Sequence, residues 1–249
     1  GGEFLISDLK TYTRVGHLEL VPQPGGDVCA KRPPRMAYSY LRAACGGDAD
    51  KLASQLLPTL SEAERNVVAQ LIERKVNSPM TSSVGRLFDA ASALLGICYK
   101  NTYHAQAPME LEAKAFEATD EQGFYPVSPH NNGAGRFVVP ARYVIKALAA
   151  DFVGGTSAEV CAARFHNSVA RFVLDMCKRI RDNTAQDEVA LQTVALSGGV
   201  FANAFLVERL VPLLEAEGFE VLLNAEVPAG DGGTCLGQAA VAAAQLSDR

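Results

Sequence analysis

The sequence has no tryptophan, four histidines and only 7% aromatic residues. It holds six cysteines, at 29, 45, 98, 161, 177 and 235, and no two of them form a Cys-x-x-Cys pair. That excludes zinc ribbons and thioredoxin-like redox motifs and leaves the cysteines as small buried hydrophobes of a reducing compartment. No two of His17, His104, His130 and His166 stand at His-x-x-His or His-x-x-x-His spacing, so spacing supports no complete histidine metal site. No uncharged apolar run reaches the roughly 18 residues of a transmembrane helix, so no membrane partner is expected. The start, Gly-Gly-Glu-Phe-Leu, has neither the basic nor the apolar region of a signal peptide, nor a Met, and reads as processed or cut from something longer. A basic excess is also missing. Twenty-three Lys and Arg face 28 Asp and Glu, for a net charge of −5, which gives no electrostatic funnel for nucleic acid.

What is present is a chain of 249 residues, 48% hydrophobic and 20% charged. That suits one large domain or two small ones with a sizeable core. Residues 1–33 read as irregular, broken by Pro22, Pro24, Gly25-Gly26 and Pro33-Pro34, with strand-like pieces at Glu3–Ile6 and His17–Val21. A helical pattern runs from Arg35 to Leu57, with Met36, Tyr40, Leu41 and Ala44 on one face. Ser61-Glu-Ala-Glu64 reads as a capping box for the next helix. Ser83–Leu95 is helical and stopped by Gly96, and a loop over 98–107 leads to a short acidic helix, Pro108–Phe116, with Pro at N1. An exposed loop is expected at His130–Gly135, then helices over Tyr143–Phe152 and Ser157–Asp182. The last 60 residues change character: a buried strand over Val189–Leu196, a helix over Phe201–Glu217, a strand over Phe219–Leu223 and a small-residue helix over Gly237–Gln245. This is a βαβ-type unit with a parallel strand pair, and the chain as a whole is helix-rich α/β.

Three places could carry chemistry. Ser197-Gly198-Gly199-Val200 follows a strand and opens a helix. Two glycines there let the backbone approach an anion, and the helix start aims amides at it. The same residues equally make a tight structural turn. There is no Gly-Lys-Ser/Thr, so it is not a P-loop, and no third glycine for a dinucleotide fingerprint. Asp231, between Gly230 and Gly232-Gly233, can reach a metal or ligand, or simply cap the helix after it. In Thr81–Asp89, Gly85 allows close approach in an early helical turn, and Asp89 follows one turn later on the same side. The alternative is a solvent-facing Asp89 paired with Arg86. Glu110 and Glu112 read as surface carboxylates, and His166 as a satisfied structural histidine.

Together these blocks resemble a known family. Gly1-Gly2-Glu3-Phe4-Leu5, Arg14–Leu18, Pro24–Asp27, Thr81–Ala90, Met109–Ala113, Ala162–Asn167, Leu196–Asn203 and Val227–Gln238 are similar to the hydrogenase maturation carbamoyltransferases, HypF. The resemblance runs over nearly the whole chain and is to the C-terminal part of the carbamoyl-transfer domain. It implies the helix-rich C-terminal lobe of an actin/sugar-kinase-like (ribonuclease H-like) fold, with residues 1–33 as an interlobe segment and 34–249 as the nucleotide-binding lobe. It also implies that an upstream domain of the same protein makes carbamoyl-adenylate from ATP and carbamoyl phosphate. The lobe then passes the carbamoyl group to the C-terminal cysteine of the partner HypE, in the cytoplasm. Carried over by position, Ser197, Gly198 and Gly199 cradle the nucleotide phosphate and Asn203 reaches the base. Gly85, Asp89 and Glu110 line the ribose and adenine side, and Asp231 is a ligand of a divalent metal (iron, zinc or magnesium). No catalytic residue is assigned, and none of the six cysteines matches a catalytic position.

The family's histidine metal ligands lie just upstream of the block at which this sequence begins. The resemblance therefore implies a fragment without the first lobe or most of the metal site, incomplete as an enzyme by itself. The alternatives are a lobe of an antibiotic O-carbamoyltransferase, or a non-catalytic lobe that binds nucleotide or a partner.

Overall fold

The computed structural model describes residues 1–184 and 191–246. Its elements are β1 (Glu3–Ser7), β2 (Tyr12–Leu18), β3 (Val21–Pro22), α1 (Val28–Lys31), α2 (Pro33–Cys45), α3 (Ala49–Leu56), α4 (Glu62–Glu73), β4 (Met80–Thr81), α5 (Val84–Leu94), α6 (Gln106–Phe116), β5 (His130–Asn131), β6 (Phe137–Val139), α7 (Arg142–Val153), α8 (Ala158–Thr184), β7 (Thr193–Leu196), α9 (Ala204–Ala216), β8 (Glu220–Leu223) and α10 (Thr234–Leu246). The chain divides into two compact units. One holds Gly1–Gly2, Leu18–Ser128 and Val139–Ser168; the other holds Glu3–His17, Pro129–Val138 and Val169–Arg249.

The first unit is helical and is organised around α5. Every residue from Leu87 to Leu94 is buried, because Ala90, Ala91, Ser92 and Ala93 are small enough for α2, α6 and α7 to approach from several sides. Met36, Tyr40 and Leu41 of α2, Leu111 of α6 and Val144, Ile145 and Leu148 of α7 complete the core. The helix starts where the Ser83 hydroxyl accepts from the Arg86 amide at 3.3 Å, and ends where Gly96 turns to φ +73°. The continuous helix expected over Arg35–Leu57 is instead two helices. Gly46, at φ +54°, ends α2, and a 3-10 turn over Gly46–Asp48 leads into α3. The Ser61 cap forms, with its hydroxyl accepting from the Glu64 amide at 3.2 Å. The return half of that box does not form, because the Glu64 carboxylate takes Arg32 and Arg35, each at 3.0 Å. Charge-assisted bonds outweigh a bond to one backbone amide.

The second unit begins with the β1–β2 hairpin, which joins β6 and β5 in a four-stranded sheet of order β1-β2-β6-β5. Gly16 packs closely there: a Cβ would lie 2.3 Å from the end of the Met176 side chain, which would have to move, and 3.1 Å from the Phe137 carbonyl oxygen. The segment expected as an exposed loop, 130–135, is exposed throughout, and it forms one strand and the tip of the antiparallel β5–β6 hairpin. The βαβ expectation holds. β7 and β8 pair in parallel, Thr193 with Glu220 through Leu196 with Leu223, and α9 connects them. Val189 and Ala190 of the predicted strand lie outside the described residues. The strand is not buried as expected: only Leu196 of β7 is, and three of the four β8 residues are exposed. The helix after it, α10, buries none of its residues. Among the described residues no helix is long and apolar enough to cross a membrane, and all six cysteines are free thiols.

Candidate functional site

In the second unit, β7 ends at Leu196 and the chain turns at Gly198 into a 3-10 turn, Gly199–Ala202, ahead of α9. Gly198 sits at φ +108°, a conformation that side chains other than glycine rarely adopt. Its amide donates to the Ala229 carbonyl at 2.7 Å, which ties the glycine turn to the loop carrying Asp231. The amides that open the 3-10 turn, Gly199 and Val200, have no acceptor within that turn, as at any helix start. A Cβ on Gly199 would meet nothing within 4 Å, so the space in front of this backbone is open to a ligand. Ser197, Gly198, Gly230, Asp231 and Thr234 line one cleft of ≈ 810 Å³.

Asp231 is exposed and opens a second 3-10 turn, Asp231–Gly233, whose N-cap position is Gly230; that cap carries no side-chain hydrogen bond. Gly233 is fixed by packing, since a Cβ there would lie 2.5 Å from the Pro228 carbonyl oxygen. Asn203 is buried, and its side-chain oxygen accepts from the Leu206 amide at 2.8 Å as the N-cap of α9. The sequence reading missed that capping role.

In the first unit, Asp89 is not the solvent-facing residue of the alternative reading: it is 0% exposed. The pairing does hold, with Arg86 Nη1 2.7 Å from Asp89 Oδ2. Burial pushes the Asp89 carboxyl up to about 6, against the opposing pull of Arg86, Asn101 and His104. Gly85, one turn earlier, has open space around it, with Ser83 Oγ at 3.7 Å from a Cβ as its nearest neighbour. Glu110 is half-buried and accepts from Gln106 Nε2 at 2.7 Å; Gln106 Oε1 in turn accepts from the Thr102 amide at 2.8 Å. The Cys98 thiol lies 3.5 Å from Asn101 Oδ1. Burial raises it first, and both Glu110 and Asp89 raise it further.

Asn101, Arg86 and Gln106 were absent from the sequence-predicted set. Asn101 joins three segments: its Nδ2 donates to the Ala30 carbonyl at 2.7 Å and lies 3.5 Å from Asp89 Oδ1, and its Oδ1 accepts from the Ala107 amide at 2.9 Å. It thereby supplies the N-terminal cap that Ala105, at φ +61°, cannot give α6. That helix starts at Gln106, two residues before the expected Pro108, which falls within the first turn instead. The sequence signal was available: a helix start with no Ser, Thr, Asp or Asn beside it needs a cap from elsewhere.

The family model for the carbamoyltransferase Kae1-like domain, second subdomain, matches residues 1–238. A carbamoyltransferase HypF of Rhodobacter capsulatus is 37% identical over 247 residues, 99% of this chain and 30% of its own. A probable carbamoyltransferase HypF of Methanocaldococcus jannaschii is 32% identical, over 96% of this chain and 30% of its own. A crystal structure of full-length HypF in the phosphate- and nucleotide-bound form superposes with a TM-score of 0.88 at 32% identity, covering 98% of this chain and 30% of that one. The chain thus spans less than a third of each of these relatives.

Proposed function

The chain belongs to the HypF carbamoyltransferase family, as the second subdomain of its Kae1-like domain, and on that premise we propose that it is the nucleotide-holding part of a carbamoyl-transfer enzyme. The observation that carries this is the Gly198–Gly199 turn. Ser197 and Gly198 share one cleft with the Asp231 loop, and the next residue, Gly199, has open space before its backbone. Amides at a helix start suit phosphate oxygens. A homologue was crystallised with phosphate and nucleotide bound, which supports the same reading.

In this reading Ser197, Gly198 and Gly199 hold the phosphate; the resemblance alone assigns Asn203, whose side-chain oxygen caps α9, to the base, and Gly85, Asp89 and Glu110 to the ribose and adenine side. Carboxylates accept hydroxyl hydrogen bonds with two oxygens each. Residues 1–33 serve as the interlobe segment and 34–249 as the lobe. Carbamoyl-adenylate from an upstream domain is the donor, and the C-terminal cysteine of HypE the acceptor, in the cytoplasm. The thiolate attacks the carbamoyl carbon, the bond from that carbon to the phosphate oxygen breaks, and AMP leaves with the electron pair. The chain's own share is to hold the adenylate so that this carbon is presented.

The family's metal does not fit the residues described. Among them no group of three His, Cys, Asp or Glu side chains is close enough to hold an ion, and Asp231 is the one carboxylate lining the cleft. No step is assigned to a metal here. A second reading is a lobe that binds nucleotide without turnover on its own.

Calorimetric titration of ATP and ADP into the chain tests the proposal. Saturable binding that is lost in Gly199→Val, where the added side chain occupies the open space, supports the nucleotide role; unchanged affinity in that variant removes it. Carbamoyl transfer assayed with carbamoyl-adenylate and acceptor supplied separates the two readings.

A further inference from the structure

We propose that Asn101 is a positioning residue for the carboxylate side of the nucleotide site, fixing Asp89 and the first turn of α6 against one another. This rests on the nucleotide reading above and adds to it a residue from a loop that the sequence marked only as a connection.

One side chain serves three segments that are far apart in sequence. The carboxamide nitrogen reaches the end of α1 at Ala30 and the buried carboxylate of α5, while the oxygen caps α6 at Ala107. The Asn101 amide also donates to the Lys31 carbonyl at 3.1 Å, so the backbone is held as well as the side chain. The capped turn begins with Gln106, whose amide holds Glu110 at 2.7 Å. Asn101 is therefore in direct contact with one candidate ribose-side carboxylate and two steps from the other. A carboxamide suits the place because it donates and accepts at once. Its donor faces a carbonyl and a carboxylate, and its acceptor faces an amide.

The groups that act on Asp89 are Arg86 on its own helix, and Asn101 and His104 from the loop. The Cys29 thiol of α1 and the Cys98 thiol lie within its electrostatic reach. Asn101→Asp keeps the acceptor for Ala107 and replaces the donor with a second carboxylate beside Asp89. Two ionised carboxylates at that separation repel; with one shared proton, the donor returns.

The test is ATP affinity by calorimetry for the chain and its Asn101→Asp and Asn101→Ala variants, well below each thermal midpoint, with helix content checked by circular dichroism. Asn101→Asp is expected to bind at least about tenfold more weakly than wild type near pH 8 and to recover most of that loss near pH 5. Asn101→Ala, which has no donor to regain, is expected to stay about tenfold weaker at both. A residue that only glued the fold would leave the affinity of the folded variants at the wild-type value. If both variants fold and bind ATP as wild type does while Gly199→Val does not, the Asn101 proposal fails and the nucleotide reading stands. If wild type itself gives no saturable binding, both fall. If Asn101→Ala does not fold, the pH comparison of Asn101→Asp decides alone.

Discussion

Arg86 and Asp89 stand three residues apart on α5 and meet at 2.7 Å, with the carboxylate wholly buried and the Arg86 side chain partly exposed. Burial nevertheless wins over the ion pair, since the Asp89 carboxyl is pushed up to about 6 rather than down. Between about pH 4 and 6 the folded chain therefore keeps a proton that the unfolded chain has released. Stability falls as pH rises through that window. Asp89→Asn mimics the protonated carboxyl and removes the slope. It is expected to match wild type near pH 4 and to exceed it by about 2–3 kcal/mol at neutral pH, read from urea midpoints. Parallel pH profiles for the two proteins would refute this. A carboxylate that lowers stability at neutral pH is the kind of residue expected at a binding site.

His166 produces the opposite slope. It is fully buried on α8, with Nδ1 2.8 Å from the Ala162 carbonyl and the rings of Phe88 and Phe165 edge-on to it at 5.2 and 5.9 Å. Burial holds it down to about 4, so the unfolded chain takes up a proton near pH 6.5 that the folded chain refuses. Stability from this group is present above about pH 6.5 and is lost as pH falls toward 4. His166→Phe is expected to cost about 1 kcal/mol at neutral pH, from the lost hydrogen bond, and to gain about 2–3 kcal/mol relative to wild type by pH 4. Thermal or urea midpoints at the two pH values check it. In wild type the His166 and Asp89 slopes largely offset, so each single variant should show the slope that its partner hides.

The two adjacent glycines of the candidate phosphate turn separate fold from function. Gly198, at φ +108°, needs glycine for its backbone, whereas Gly199 has an ordinary φ and open space before it. Gly198→Ala is expected to lower stability by about 1–3 kcal/mol. Gly199→Ala should stay within about 0.5 kcal/mol of wild type. Chemical denaturation of both variants measures this. Equal losses at the two positions would mean that the turn is under strain throughout.

What the sequence showed best was local. The α5 boundaries followed from Ser83 and Gly96, and the β7–α9–β8 unit from two β-branched runs around a Gly-Gly turn. What it hid depended on partners distant in the chain. Glu64 looked like half of a capping box because Arg32 and Arg35 lie 32 and 29 residues away. The alternative of a solvent-facing Asp89 arose because a lone carboxylate on a helix usually faces water. The clue was its neighbourhood: Leu87 to Leu95 carries no other charge, and a helix apolar on all sides is a buried one. Asn101 was missed because a capping residue is normally sought beside the helix it caps. The strand β7 was expected to be buried because an apolar, β-branched run reports pairing, not whether anything covers the faces.

Those uncovered faces lead to the last prediction. Leu222 of β8 and Leu236 of α10 are 49% and 54% exposed, and Leu223 and Leu246 are exposed too. Parallel strands are normally covered on both faces, and exposed large apolar side chains favour association with other apolar surfaces. Because these leucines already face water, removing them sacrifices little burial. Leu222→Ser combined with Leu236→Ser is expected to change stability by no more than about 1 kcal/mol. The same pair should reduce binding of a hydrophobic fluorescent dye and raise the concentration at which light scattering begins. Stability loss of several kcal/mol would show instead that these side chains are packed in solution, and unchanged dye binding would show that the apolar surface lies elsewhere.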